Sequence, residues 1–136
     1  MKWKAHHLKW SLIGMLILLL VVYENDSYEI RTREVTAKAY NSLASQTDNE
    51  GPNIAAWGDR LEPGMKCIAV SRDLIPLGLD HKTAVTIEGL PGVYIVLDKM
   101  NRRHKNSIDI YMGNDKKAAV LWGKKRVNIS WKVPKH

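Results

Sequence analysis

The chain has 136 residues, a formal net charge of +7, 45% hydrophobic and 26% charged residues, a balance that fits one small globular domain plus an N-terminal segment. Its single cysteine, Cys67, excludes an internal disulfide and a cysteine-rich zinc site, and the histidines at 6, 7, 81, 104 and 136 lack metal-ligand spacing, so no metal or other cofactor is expected. Lys2, Lys4 and Lys9 carry three of the positive charges, so the remainder is only mildly basic, which weighs against a nucleic-acid partner.

Residues 1–10 are basic and free of acids, and residues 11–23, SLIGMLILLLVVY, carry no charge. Thirteen helical residues reach about 20 Å, short of the ~30 Å hydrocarbon core of a bilayer. Adding Leu8 and Trp10, with Lys9 reaching to the interface, makes a marginal span bounded by Trp10 and Tyr23. Glu24, Asn25 and Asp26 follow directly and no small-x-small site lies near Tyr23. The expectation is therefore an N-terminal transmembrane anchor over 1–23, with a cleaved signal peptide as the alternative. Both place the remainder outside the cytoplasm, in the cell envelope, because the lysines hold the N-terminus inside.

A polar linker is expected over 24–33 and one domain over 34–133. Strands are predicted at 35–40, 66–71, 83–87, 93–97, 108–112 and 127–131 from their apolar and β-branched content. A polar loop fills 41–53, and turns fall at 61–64 and 89–92. Asn114 reads as the N-cap of a short helix over 115–122, which Gly123 stops. The class is mainly β: six short strands and one helix, suited to a small closed barrel.

Two carboxylates stand out. Asp98 leaves the fourth predicted strand and Asp109 lies inside the fifth, where alternation sets Ile108, Ile110 and Met112 on one face and Asp109 with Tyr111 on the other. A lone aspartate disfavours such a strand and is costly to bury, so a catalytic role is one explanation. The residues alone leave open a structural aspartate held by backbone N–H groups or by Arg102 or Arg103.

IAVSRDLIPLG (68–78), the Asp98-to-Asp109 spacing, and IDIYMG (108–113) with the helix after it and Trp122-Gly123 resemble the three-aspartate (3D) domain family. That family includes membrane-bound lytic transglycosylase A and the stationary-phase-survival cell-wall proteins. The resemblance covers roughly 35–131 and implies a six-stranded double-psi β-barrel. It also implies a peptidoglycan partner, with cleavage of the MurNAc–GlcNAc bond to leave a 1,6-anhydro sugar. By position the family's acid falls on Asp109 and its upstream aspartate on Asp98, while the third falls on Ser71. Asp73 and Asp48 are candidate substitutes for that third acid. Asn101 and Tyr111 complete the expected substrate-binding set.

The chemistry needs one acid. It protonates the leaving oxygen and then, as carboxylate, deprotonates the sugar's own C6 hydroxyl, an intramolecular nucleophile at high effective concentration. That acid must stay protonated well above the ordinary aspartate range. Asp98 about 5 Å away would supply much of the rise by charge repulsion. Because Ser71 replaces an aspartate and 99–106 replaces the family's glycine-rich loop, a non-catalytic glycan-binding module on the same barrel is the alternative.

Overall fold

The computed structural model describes residues 11–20, 27–41 and 53–136. Six strands form: β1 Tyr28–Tyr40, β2 Cys67–Val70, β3 Ala84–Ile87, β4 Tyr94–Lys99, β5 Ser107–Tyr111 and β6 Lys125–Pro134. They follow the order β1-β5-β2-β4-β3-β6 and close into a barrel. Pairing is mixed, with β1–β5 and β2–β4 parallel and β2–β5, β3–β4 and β3–β6 antiparallel. The Thr32 and Ser130 hydroxyls, 2.9 Å apart, add a side-chain link between β1 and β6.

The alternation of the sequence builds the interior. Val35 and Ala37, Ile68 and Val70, Val85 and Ile87, Tyr94 and Val96, and Ile108 and Ile110 are all buried, as are Val127, Ile129 and Trp131. Each fully buried isoleucine contributes about 1.5–3 kcal/mol by leaving water. A second apolar cluster packs on the opposite face of the sheet, where Ala55 and Leu61 cover Cys67 and Tyr111, with Tyr40 and Leu97 against them.

The largest compact unit is Arg31–Trp131; Met1–Ile30 with Lys132–His136 forms another, in which the Lys135 N–H donates to the Ser27 carbonyl at 3.0 Å. Residues 11–20 are helical. Among the described residues no helix is long and apolar enough to cross a membrane, and the expected anchor's residues 1–10 and 21–23 lie outside them.

Four boundaries differ from expectation. First, β1 starts at Tyr28, so residues 28–33 are strand and not linker: YEIRTR is β-prone and was masked by its polarity. Second, the chain after β2 does not stay extended. It turns into a 3-10 helix, Arg72–Leu77, containing Pro76 and ended by Gly78 at φ 104° with its N–H on the Ile75 and Leu74 carbonyls. Glycine suits that left-handed position. Third, the helix after β5 runs Lys116–Trp122 and is capped by Asp115, not Asn114, because the Asp115 carboxylate reaches the Ala118 N–H at 2.8 Å. Fourth, β6 extends in both directions beyond 127–131.

Candidate active site on one rung of the barrel

Register places four residues in a row across the sheet. Lys38 of β1 pairs with Asp109 of β5, Asp109 with Ala69 of β2, and Ala69 with Asp98 of β4. Paired residues share a face, so the row reads cation, carboxylate, methyl, carboxylate. It forms part of an open cleft of about 280 Å³ lined by Tyr40, Asn41, Ala69, Asp98, Lys99, Met100 and Asp109.

A bulge makes this row possible. Ile68 pairs with Val96 but Ala69 pairs with Asp98, so Leu97 is skipped. Strict alternation from Tyr94 and Val96 would aim Asp98 into the barrel interior. The extra residue turns it outward, as bulges do near functional sites. Leu97 joins the apolar cluster beside Cys67, and Asp98 reaches the cleft.

The two acids differ in environment. Asp98 Oδ1 accepts the Ala56 N–H at 2.8 Å and the Lys99 N–H at 2.9 Å. The first bond ties the loop 53–61 to the cleft rim. That loop is held further by the Ile54–Arg60 bridge, by the close pair His81 Nε2 and Asp59 Oδ2, and by Trp57 stacked on the His81 ring at 4.9 Å. The Lys99 ammonium lies 4.8 Å from the Trp57 ring centre, a cation–π contact. The Asp109 carboxyl is raised above the ordinary aspartate range. Burial is the main cause, Lys38 and His104 oppose it, and Asp98 adds a smaller push upward.

The expected order of causes is thus reversed. With β2 between them, the Asp98 and Asp109 backbones stand two strand spacings, roughly 10 Å, apart. Coulomb repulsion falls with distance, so desolvation on the aliphatic strand leads.

Four other candidates have different surroundings. Tyr111 is buried at 3% exposure and packs on Tyr40 with ring centres 5.4 Å apart, so it serves the apolar cluster and not a ligand. Asn101 is a turn residue: its side-chain oxygen accepts the Arg103 N–H at 3.1 Å and its carbonyl the His104 N–H. Asp48 lies outside the described residues. Asp73 does not reach the cleft, because the 3-10 helix redirects it, and its Oδ2 accepts the Asn106 N–H at 2.9 Å.

Ser71, at the position of the family's third acid, is fully buried and its hydroxyl accepts the Ser107 N–H at 2.9 Å. It and Asp73 together pin the start of β5. Burial would raise the Asp73 carboxyl, but hydrogen bonds from Ser71 and from backbone N–H groups, with Lys105 nearby, hold it below its usual range. Such a group stabilises the fold above its unfolded-state pKa, and that contribution is lost as pH falls through the lower folded value. Asp73→Ala is therefore expected to cost about 1–2 kcal/mol at pH 7. Thermal melts should show the gap to the parent chain narrowing below about pH 4.

Tyr40 is a cleft residue that pattern reading missed. Its hydroxyl is buried and has no hydrogen-bond partner, and burial, then Asp98, Cys67 and Asp109, all oppose its ionisation. It remains a neutral donor without an acceptor, an arrangement that calls for an explanation in a folded protein. The alternation Thr36, Lys38, Tyr40 gives its face, but only the parallel β1–β5 register sets it beside Asp109.

Among the described residues no group of three or more His, Cys, Asp and Glu side chains is placed to hold a metal ion. No protein-family model matches the chain, and no curated protein matches it. Among solved structures, it is similar to an apo expansin of Clavibacter michiganensis at 17% identity and a TM-score of 0.44, covering 78% of this chain and 51% of that one. A mutant of the same expansin in complex with cellohexaose matches at the same identity, coverage and TM-score. The chain thus spans about half the length of that expansin. A likeness of this degree leaves the chain's activity to be argued from its own residues.

Proposed function

We propose that the cleft binds the glycan strands of peptidoglycan, on a barrel whose mixed pairing we read as double-psi and which the apolar run 11–23 delivers to the outer side of the membrane. The observation that supports this is the row itself. Two carboxylates flank a methyl floor in an open cleft, with the unsatisfied Tyr40 hydroxyl beside them. Carboxylates accept hydrogen bonds from sugar hydroxyls, and a phenol donates to a sugar or acetamido oxygen. A few convergent polar groups on an otherwise apolar wall are the usual make-up of a small-ligand site.

A second reading adds chemistry, and one observation favours it. Asp109 faces the cleft with its carboxyl raised, the condition for a general acid near neutral pH. In that reading the chain is a lytic transglycosylase. Asp109 protonates the glycosidic oxygen and then takes the C6 hydroxyl proton, while Asp98 stabilises positive charge developing on the sugar ring. Both carboxylates are uncovered by arginine among the described residues.

The test is incubation of the full chain with purified sacculi, followed by sedimentation and mass spectrometry of the soluble fraction. Co-sedimentation with anhydro ends supports both readings, and co-sedimentation without new ends supports binding alone. Hydrolysed ends would replace the intramolecular mechanism with a water nucleophile. Failure to co-sediment and to cleave would overturn the glycan assignment. Within this site, Tyr40→Phe removes a hydroxyl that has no partner to lose, so stability should change by less than about 0.5 kcal/mol. Glycan affinity should fall about tenfold if that hydroxyl bonds the ligand, as sedimentation isotherms would measure.

A further inference from the structure

The helix Lys116–Trp122 contains no buried residue and is turned the opposite way from an ordinary surface helix. At 3.6 residues per turn, Lys116, Lys117, Val120 and Leu121 share one face and Ala118, Ala119 and Trp122 the other. The alanines and the tryptophan are half-buried, while the aliphatic pair points outward, Val120 70% and Leu121 76% exposed. A core-seeking helix would place those two inward.

Exposed aliphatic residues are unremarkable singly, but here they adjoin the exposed Lys116, Lys117, Lys124 and Lys125. The Lys125 ammonium sits 3.7 Å from the Trp122 ring centre, which brings a cation to the edge of the apolar pair. Arg126 is engaged by Glu34 and is left out. No aspartate or glutamate occurs from 116 to 136.

We propose that this helix face docks on an anionic phospholipid bilayer, with Val120 and Leu121 entering the headgroup region and the four lysines meeting lipid phosphates. Charge and size select this occupant. Two aliphatic side chains fall far short of the ~800 Å² per partner of a stable protein interface. Apolar side chains ringed by lysines are the make-up of an interfacial helix. Each lysine near an anionic surface multiplies binding by about fivefold. The proposal is independent of the cleft: a barrel that binds no glycan would still dock.

The test uses the full chain in lipid vesicles with Leu121→Cys carrying an environment-sensitive NBD dye. Cys67 is buried and its thiol is pushed up to about 12, so the introduced cysteine takes the label. Emission should brighten and shift blue in vesicles containing phosphatidylglycerol but not in phosphatidylcholine alone. It should revert at about 1 M salt, where the screening length is ~3 Å. Lys116→Gln with Lys117→Gln should lower the docked-to-free ratio about 30-fold. A dye at Val93→Cys, in the exposed turn before β4, should stay water-like. Water-like emission from position 121 in both vesicles, equal blue shifts in both, or a blue shift at position 93 as well would each overturn the proposal. So would the same shift produced by a soluble polyanion without vesicles.

Discussion

Asp109→Asn is expected to raise the melting temperature at pH 7 and to abolish any glycan cleavage. The stability half follows from the sign of the shift. Burial, the largest influence, raises the carboxyl, Lys38 and His104 offset it only in part, and Asp98 adds to the rise. A group whose folded pKa lies above its unfolded value near 3.9 gives stability that is fully present below that unfolded value. It is lost as pH rises through the folded value. At pH 7 the native carboxylate bears the whole desolvation cost, and asparagine, of nearly the same shape, does not. The gain should therefore be largest at neutral pH and vanish near pH 3, which paired thermal melts would reveal. The activity half follows from chemistry: an amide cannot deliver the proton, and general acid catalysis is worth about 10²–10⁴-fold in rate. A variant that is stabler yet inactive is what a strained functional residue predicts. An unchanged or lower melting temperature at pH 7 would refute the desolvation account. Undiminished release of anhydro ends would remove Asp109 as the acid and leave the binding reading standing.

The sequence exposes the barrel's interior well and its cleft only in part. Alternation in CIAV, YIVL and SIDIY sets the inward residues, because burial on one face imposes a period of two. It also sets Asp109 outward. It fails at Asp98, since nothing in VLDKM announces that Leu97 will be skipped. The bulge is a property of how β4 meets β2, and a strand read alone would send Asp98 into the core. Lys38 and Tyr40 were legible as one face of β1, but parallel pairing with β5 joins segments about seventy residues apart, which local pattern cannot register. Asp73 failed differently. Extrapolating the strand past Val70 ignored Pro76 and Gly78, whose backbone preferences favour the tight helix that turns Asp73 toward Asn106. Tyr111 had the right face but the wrong neighbour, because the loop carrying Ala55 and Leu61 folds over it.

Ala69→Leu should close the cleft while leaving the barrel folded. Ala69 is the only residue between Asp109 and Asp98 on its rung, and its methyl is the cleft floor. Leucine adds three heavy atoms at a point where the added bulk can extend into open space. Overpacking should therefore cost no more than about 1–3 kcal/mol, the range for an enlarged core residue. A ligand, by contrast, would lose its approach to both carboxylates. Hydrogen bonds to charged groups are worth about 1.5–3 kcal/mol each, so losing two lowers glycan affinity roughly 10²–10⁴-fold. Sedimentation with sacculi measures the affinity, and a melting curve shows whether the variant is folded. The comparison separates two ways in which a basic envelope protein can hold peptidoglycan. Diffuse attraction through its lysines would survive a leucine at position 69, whereas recognition between the carboxylates cannot. Parent-like binding by a folded Ala69→Leu chain would move the ligand off this rung and remove the Asp98–Asp109 cleft as its site.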